Sequence, residues 1–484
     1  MRDAGLRAMA AWALLNLAAC ASPPAVPRPA DTTPPARWSH AGAAPPVRSD
    51  AAMDPARPWW AELGDPRLDA LQEQVLRGEV EMLRKAIAWR IAELQVRQAA
   101  LAEQPQASLS LGASSSRSLR GGGGSTTVIN GVNVPVAGTS GSWQSNYGAN
   151  LSLGYEWDVW SRLSASTQAA QADAQARLED LREARGVVSL QVAQAYWRIA
   201  ALDAQQPLLV DQQRLADEAV RLAQRRLEEG KLRVVDVDTA ISQRYQVQKR
   251  LEGAKVDRAL HLQTLGRLLD QPAPALEPGD ARLPAAEPPA YELDDPPRTL
   301  ERRPDVRRAR MAVDAELARA QVAEAARYPA LRLNPVLTTS GSSWRDWFSQ
   351  PLATLGLSLA VPLVDWRRLD AQRDVARLTL DDAALALRAA VRQALADVES
   401  ALLEGQRWQA DWRAAQTLQE EKRRAERVAR QRFTAGAAAR LDLIQAHQAR
   451  LDAEVILIDM RLHAWLNRAQ LLKAVGAATT PSHE

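Results

Sequence analysis

Few groups in this 484-residue chain could do covalent or acid–base chemistry. Its five histidines, His40, His261, His447, His463 and His483, are scattered, and His447 and His463 stand sixteen residues apart on one helix-forming stretch. No HExxH, GxSxG or Walker sequence occurs. Cys20 is the only thiol, so neither a disulfide framework nor dithiol chemistry can be built. Two aspartates stand out by position instead. Asp236 and Asp442 each lie six residues after a glycine, Gly230 and Gly436, and the two sets are 206 residues apart. A carboxylate just past a turn can cap the helix that follows. No enzyme and no cofactor is expected from these residues, so the question becomes what the elements carrying them are for.

The N-terminus sets the compartment. Residues 1–19 carry Arg2 and Arg7, an apolar stretch with Trp12, Leu14 and Leu15, and the ending Leu17-Ala18-Ala19 before Cys20. This reads as a secretory signal, too short to span a bilayer. The ending resembles the cleavage box of bacterial lipoproteins, which implies that Cys20 becomes a lipidated first residue. Ala21 follows where an Asp would imply retention at the inner membrane, so the resemblance implies the outer membrane. Residues 20–58, rich in Pro and Ala without periodicity, read as an extended tether from that lipid.

Charge is nearly balanced, 61 Lys and Arg against 58 Asp and Glu, and no basic block points to nucleic acid. No apolar run reaches the roughly 18 residues of a spanning helix, so any crossing must be by strands. Two segments fit. LSLGYEWDVWSRL (Leu151–Leu163) and LSLAVPLVDWRRL (Leu357–Leu369) match at six of thirteen positions, and the same offset aligns Arg226–Ala240 with Arg432–Ala446. This is an internal duplication. Tyr147, Leu151, Leu153, Tyr155 and Trp157 share one parity while Gly148, Asn150, Ser152 and Gly154 share the other. Leu355, Leu357, Leu359, Val361 and Leu363 alternate likewise with Thr354, Gly356, Ser358 and Ala360. Alternation over about ten residues suits a tilted membrane strand, although a half-buried strand of a soluble sandwich has the same pattern. Each has a partner strand before it, at 106–116 and from Pro329, across a loop rich in Gly and Ser. Trp143, Trp157, Trp160, Trp344, Trp347 and Trp366 fall where aromatic girdles of a barrel would lie. A general preference for Trp over Phe in a GC-rich genome would place them equally well.

Between the strands the composition turns to Ala, Gln, Arg, Glu and Leu. Helices are expected over 80–103, over 163–270 with a break near Pro207, over 304–327 and from Asp365 to Arg432. The last is about 100 Å at 1.5 Å per residue, more than a globular domain needs. Leu441, Ile444, Gln448, Leu451, Val455, Ile458, Leu462, Trp465, Ala469 and Leu472 then mark a heptad seam. The domains read as signal 1–19, tether 20–58, first repeat 59–270, Pro-rich linker 271–300, second repeat 301–476 and tail 477–484. Four strands cannot close a barrel, and open edges are not tolerated in lipid, so the chain must oligomerise.

These features converge on a known family. ERRPDVRRA (Glu301–Ala309), GDPRLDAL (Gly64–Leu71), YEWDVWSR (Tyr155–Arg162), the paired glycine turns and LLKAVG (Leu471–Gly476) resemble the TolC-like outer-membrane factors, in particular their lipoprotein branch serving resistance-nodulation-division efflux pumps. The resemblance implies a mixed membrane fold: a homotrimer whose four strands per chain make a twelve-stranded outer-membrane β-barrel, continued by an α-helical coiled-coil periplasmic tunnel, internally duplicated and without cofactor. It implies a passive exit duct for small molecules, gated at its periplasmic tips and partnered by a periplasmic adaptor (membrane fusion protein) and an inner-membrane pump. Asp442 matches an acidic constriction residue and Gln445 a second ring position, neutral here; capping by Asp442 remains the alternative. Phe433 matches a tip position that makes links holding the closed state, or simply packs. Gly230 and Gly436 serve the tip turns that face the adaptor, and Asp236 is a cap or an interprotomer partner. Arg302, Arg303, Pro304 and Asp305 are diagnostic of the branch and read as structural. The chain departs from the family's pattern with Ser161 for a usual Gly, Glu79 for a common Asn and Arg440 for a frequent aromatic. A duct for type I protein secretion, a periplasmic adaptor and a purely structural coiled-coil lipoprotein are the other readings. The last two leave the duplicated strand hairpins unexplained.

Overall fold

A computed structural model describes residues 26–27, 34–40, 58–63, 65–117, 126–129, 132–135, 143–272, 276, 279–288, 293–362 and 364–477. Cys20, the signal segment and the end of the tail lie outside them. The chain forms α1 (Pro66–Gly78), α2 (Val80–Ala102), β1 (Gln106–Ser116), β2 (Thr126–Ile129), β3 (Val132–Pro135), β4 (Gln144–Trp157), α3 (Arg162–Glu228) and α4 (Val234–Leu268). The second half follows with α5 (Pro296–Arg302), α6 (Pro304–Ala325), β5 (Ala330–Gly341), β6 (Pro351–Ala360), α7 (Trp366–Thr434) and α8 (Arg440–Ala474). Contacts divide it into two units.

Among the described residues the first unit comprises 26–27, 92–174 and 312–384. Its centre is a four-stranded antiparallel sheet in the order β1-β4-β5-β6; β2 and β3 pair separately. Register sorts the side chains by chemistry. Leu109 lies opposite Leu151, Leu151 opposite Leu337, and Leu333 opposite both Tyr155 and Leu357. On the other face the Ser108 and Ser152 hydroxyls are 2.7 Å apart, Asn334 Nδ2 donates to Ser358 Oγ at 3.1 Å, and Glu156 accepts from Arg332 at 3.1 Å. Every residue of β1 and most of β6 are exposed, the large leucines included. A sheet with one apolar and one polar face, both left largely open by the described residues, suits lipid on one side and water on the other. The central β4–β5 pairing joins the two repeats, which the separate hairpins did not foretell. The second strand also starts earlier than expected, at Pro351 rather than Thr354, and ends at Ala360.

The turn from β4 into α3 contains Ser161 at φ 56°, the left-handed region that costs an L residue about 1–2 kcal/mol. Ser161→Gly is therefore expected to stabilise the fold by about 0.5–1 kcal/mol, less than the strain removed because glycine frees the unfolded chain. A higher thermal midpoint in detergent checks it, and an unchanged or lower one would show that the turn carries no strain.

The second unit comprises 30–91, 175–311 and 385–484. Trp59, Leu68, Val75, Val192, Tyr196, Trp197, Ile199, Leu265, Leu268, Trp465 and Leu472 form its main core, with the Trp197 and Trp465 rings 5.9 Å apart. The expected break near Pro207 is absent: α3 runs through it for 67 residues. Proline forfeits one backbone bond, to the Asp203 carbonyl. Burial of Ala201 and Leu209 on either side, and the donation from Gln205 to Asp459 at 2.7 Å, hold the helix against that loss. Tertiary packing overrides propensity here. The Pro-rich linker is likewise less bare than expected, since α5 begins at Pro296 and Leu276 and Ala281 are buried. Nor is the whole N-terminal tether free. Trp38 is buried among Val398, Ala401, Leu471, Ala474 and Val475, and Glu399 accepts from the Ser39 and His40 amides at 2.6 and 3.1 Å. Of the seam predicted on α8, Ile444, Leu451, Leu462, Trp465, Ala469 and Leu472 are buried, while Leu441, Gln448, Val455 and Ile458 are half-buried.

The duplication extends to the ends of the elements. At the same 206-residue offset, α4 and α8 begin and end together, and α3 and α7 end together.

Candidate functional site at the helical tips

Each long helical hairpin closes in the same way. Gly230 (φ 71°) and Gly436 (φ 73°) terminate α3 and α7 in the left-handed conformation. Lys231 N donates to Arg226 O and Ala437 N to Arg432 O, both at 2.8 Å, satisfying the last carbonyls of each helix. A Cβ on either glycine would meet no atom within 4 Å, so backbone conformation rather than space selects glycine.

Past each turn an aspartate stands at the third position of the next helix. Asp236 accepts from the Arg233 amide at 3.1 Å and its guanidinium at 3.4 Å. The Arg233 amide and side chain hold its carboxyl below the usual range. Asp442 accepts from the Ala439 amide at 2.9 Å. Since Ala439 has no side-chain acceptor, only this half of a capping box is possible. Asp442 thus caps α8, as the alternative reading allowed, yet it remains exposed. Gln445, three residues on, is exposed beside it, while Leu443 and Ile444 are buried on the opposite side. The Asp442–Gln445 face is free to point elsewhere.

Arg440, the departure at the second tip, is engaged. Its guanidinium meets the Glu218 carboxylate of α3 at 2.8 and 3.2 Å. The pair depresses the Glu218 carboxyl and raises the Arg440 guanidinium. Arg440 also lies 5.8 Å from the centre of the Phe433 ring, within cation–π range. Phe433 is therefore packed by Arg440, and the aromatic that commonly stands at position 440 is replaced by a cation reaching α3. Sequence alone missed Glu218, because nothing in α3 marks one carboxylate among many as a partner 222 residues away. Beneath the pair lies a cavity of about 340 Å³ lined by Arg214, Leu215, Arg430, Arg440, Leu443, Ile444 and His447.

The ERRPDV run stands apart from the tips. Arg303, 3% exposed, donates to Asp305 at 2.6 and 3.0 Å, to Asp397 at 2.9 Å and to the Ala474 and Ala394 carbonyls at 2.7 and 3.3 Å. It ties α6, α7 and the end of α8 together. Arg302 pairs with Asp294, and Pro304 opens α6. Gly476 (φ 74°) lies so close that a Cβ there would sit 3.3 Å from the Arg302 backbone.

Duplicated strand hairpins with one apolar and one polar face, and duplicated helical hairpins of which α7 alone spans 69 residues, define a channel-forming outer-membrane protein of the barrel-and-tunnel class. The chain belongs to the outer membrane efflux protein family, whose sequence profile matches residues 71–271 and 296–477. It is 28% identical to the pyoverdine export outer membrane protein OpmQ of Pseudomonas aeruginosa over 466 residues, covering 96% of this chain and 95% of that one. Its fold matches the outer-membrane channel OprN with a TM-score of 0.78 at 20% identity, covering 94% of this chain and all of the other. The CmeC outer membrane channel of Campylobacter jejuni matches at 0.77 and 18% identity over 96% of each chain.

Proposed function

We propose that three copies of this chain form the outer-membrane exit duct of a tripartite efflux pump, anchored through acylated Cys20 and gated at the periplasmic tips. The observation that carries this is the sheet. Among the described residues β1 and β6 are exposed along nearly their whole length and stand unpaired at its edges. Edges cannot remain open in lipid. Three copies give twelve strands, above the roughly eight at which barrels close. A periplasmic adaptor and a proton-driven inner-membrane pump would supply selection and energy, since a passive duct has neither. Pyoverdine, the export named for the OpmQ relatives, is one cargo to try first. The direct test is deletion of the gene: cells should accumulate an exported dye or pyoverdine, and the full chain should restore export. Normal export in the deletion strain under conditions where the protein is made would sink the reading.

The gate falls on Asp442 and Gln445. Three carboxylates facing one narrow pore would repel each other and select cations. Asp442→Asn keeps an oxygen for the Ala439 amide and loses the charge, whereas Asp442→Ala loses both. Both variants are expected to weaken cation preference in single-channel recordings and to admit a bulky hydrophilic antibiotic. A leak confined to Asp442→Ala would reduce Asp442 to a helix cap.

A further inference from the structure

The second helical hairpin carries a titratable pair where its duplicate carries an apolar one. At the 206-residue offset, Glu426 and His447 stand where the first hairpin has Val220 and Ile241. Val220 is buried and Ile241 half-buried, so an apolar pair satisfies the packing of such a hairpin. Glu426 is just as buried on α7, yet it accepts from Arg450 of α8 at 2.7 Å and from Arg430 at 3.2 Å. Arg450 also reaches Glu454 at 2.8 Å, which Arg423 of α7 shares at 3.0 Å.

His447 is wired into this network as a neutral base. Arg450 Nη2 lies 2.9 Å from His447 Nε2. A guanidinium only donates, so Nε2 holds its lone pair and the ring proton sits on Nδ1, 3.8 Å from Glu426. A second proton has to enter at Nε2, where it breaks that hydrogen bond and sets an imidazolium against Arg450. Beside the ring lies the cavity of about 340 Å³ below the tip, whose other charged walls are Arg214, Arg430 and Arg440. Against these four cations stand Glu426 and Asp211, and both are engaged: Glu426 by Arg430 and Arg450, Asp211 by Arg214 at 3.2 Å. Burial, joined by Arg450 and Arg214, outweighs Glu426 and Asp211 and holds His447 below the usual histidine range. His463 is built differently. Its Nδ1 donates to the Asp459 carbonyl of its own helix and its ring stacks on Trp408, contacts that an imidazolium keeps.

We propose that His447 is an acid-sensing latch, whose protonation parts α8 from α3 and α7 behind the second tip and opens the gate. The room the charged ring can turn into is walled by arginines, so α3, which supplies Arg214, has to move away from α8. Asp442 and Gln445 lie on α8 five and two residues before the histidine and move with it. This rests on the duct reading and gives its gate a trigger, of the kind buried histidines supply elsewhere.

The sign follows from the depressed histidine. Its stabilising contribution is complete above the unfolded value, about 6.5, and is lost as pH falls through the folded one. The test compares the purified full chain with His447→Gln, which keeps an acceptor for Arg450 and cannot be charged, and with His447→Ile, the residue of the first hairpin. Thermal midpoints in detergent and conductance in planar bilayers are read at about pH 7.5 and about pH 5.5, either side of the ordinary histidine value. On acidification the parent chain should lose thermal stability relative to both variants, and its open conductance should rise by about threefold or more while theirs holds steady. Titration of Asp442 is common to all three proteins and cancels in the comparison. An equal acid response in parent and variants, a midpoint gap that does not change with pH, or a gap without any difference in conductance would each overturn the proposal. Absence of conductance from all three proteins at both pH values would instead remove the duct reading, and the midpoints would still test the latch.

Discussion

Arg303→Leu is expected to destabilise the folded chain by about 3–5 kcal/mol, the usual penalty for removing one partner of a buried ion pair. The guanidinium is almost fully enclosed and serves two carboxylates and two carbonyls at once. Its loss would strip Asp305 and Asp397 of the guanidinium they share, leaving Lys473 as the weaker cation near Asp305, and would untie the end of α8 from α7. Lysine should recover little, because one ammonium cannot reach acceptors that a planar fork spans. The pH dependence gives a signature that a mere packing defect lacks. Burial works to raise the Asp305 carboxyl, but Arg303 overrides it and holds it below the usual range. A depressed carboxyl contributes stability that is present above its unfolded value, about 4, and is lost as pH falls through the folded one. Without Arg303 burial is opposed only by the Val306 amide and Lys473, so the carboxyl rises and the folded state binds its proton more readily. The variant's deficit should therefore be largest at neutral pH and shrink toward pH 4. Thermal midpoints in detergent across that range, with the yield of heat-stable oligomer, measure both effects. A deficit that stays constant with pH would mean that Arg303 acts through shape alone.

The fold was legible where one period or one residue type decides the conformation. Strand parity placed Leu151 and Leu357 on one face and Asn150 and Ser358 on the other, because two-residue periodicity is a property of the strand itself. The glycine turns and the α8 seam were legible for the same kind of reason. Pro207 was misread because its penalty is local and fixed, whereas the packing that overcomes it comes from α8, hundreds of residues on. Trp38 looked like part of a featureless tether until its pocket, made by Val398 and Leu471, was assembled. The site divides in the same way: the positions of Gly436 and Asp442 could be read, but not the reach of Arg440 to Glu218, which depends on how two distant helices are set side by side.

Leu151→Arg and Asn150→Arg put the same charge on adjacent residues of β4 and should have opposite outcomes. Leu151 stands near the middle of the strand between Leu109 and Leu337, on the apolar face. If that face meets lipid, an arginine there costs about 2–4 kcal/mol near the midplane, and a closed barrel of three chains carries three of them. Leu151→Arg should therefore abolish heat-stable oligomers in the outer membrane, while Leu151→Phe should assemble. Asn150 stands between Ser110 and Thr338 on the polar face, where three arginines would meet water. Asn150→Arg should assemble, with a conductance shifted toward anions by the added positive ring. A soluble sandwich makes a different forecast, since its apolar face would be a dry core and its polar face plain surface. The Leu151 variant would then unfold a water-soluble protein and no conductance would change. Assembly of both variants alike would deny that the two faces differ in solvent, and with it the barrel.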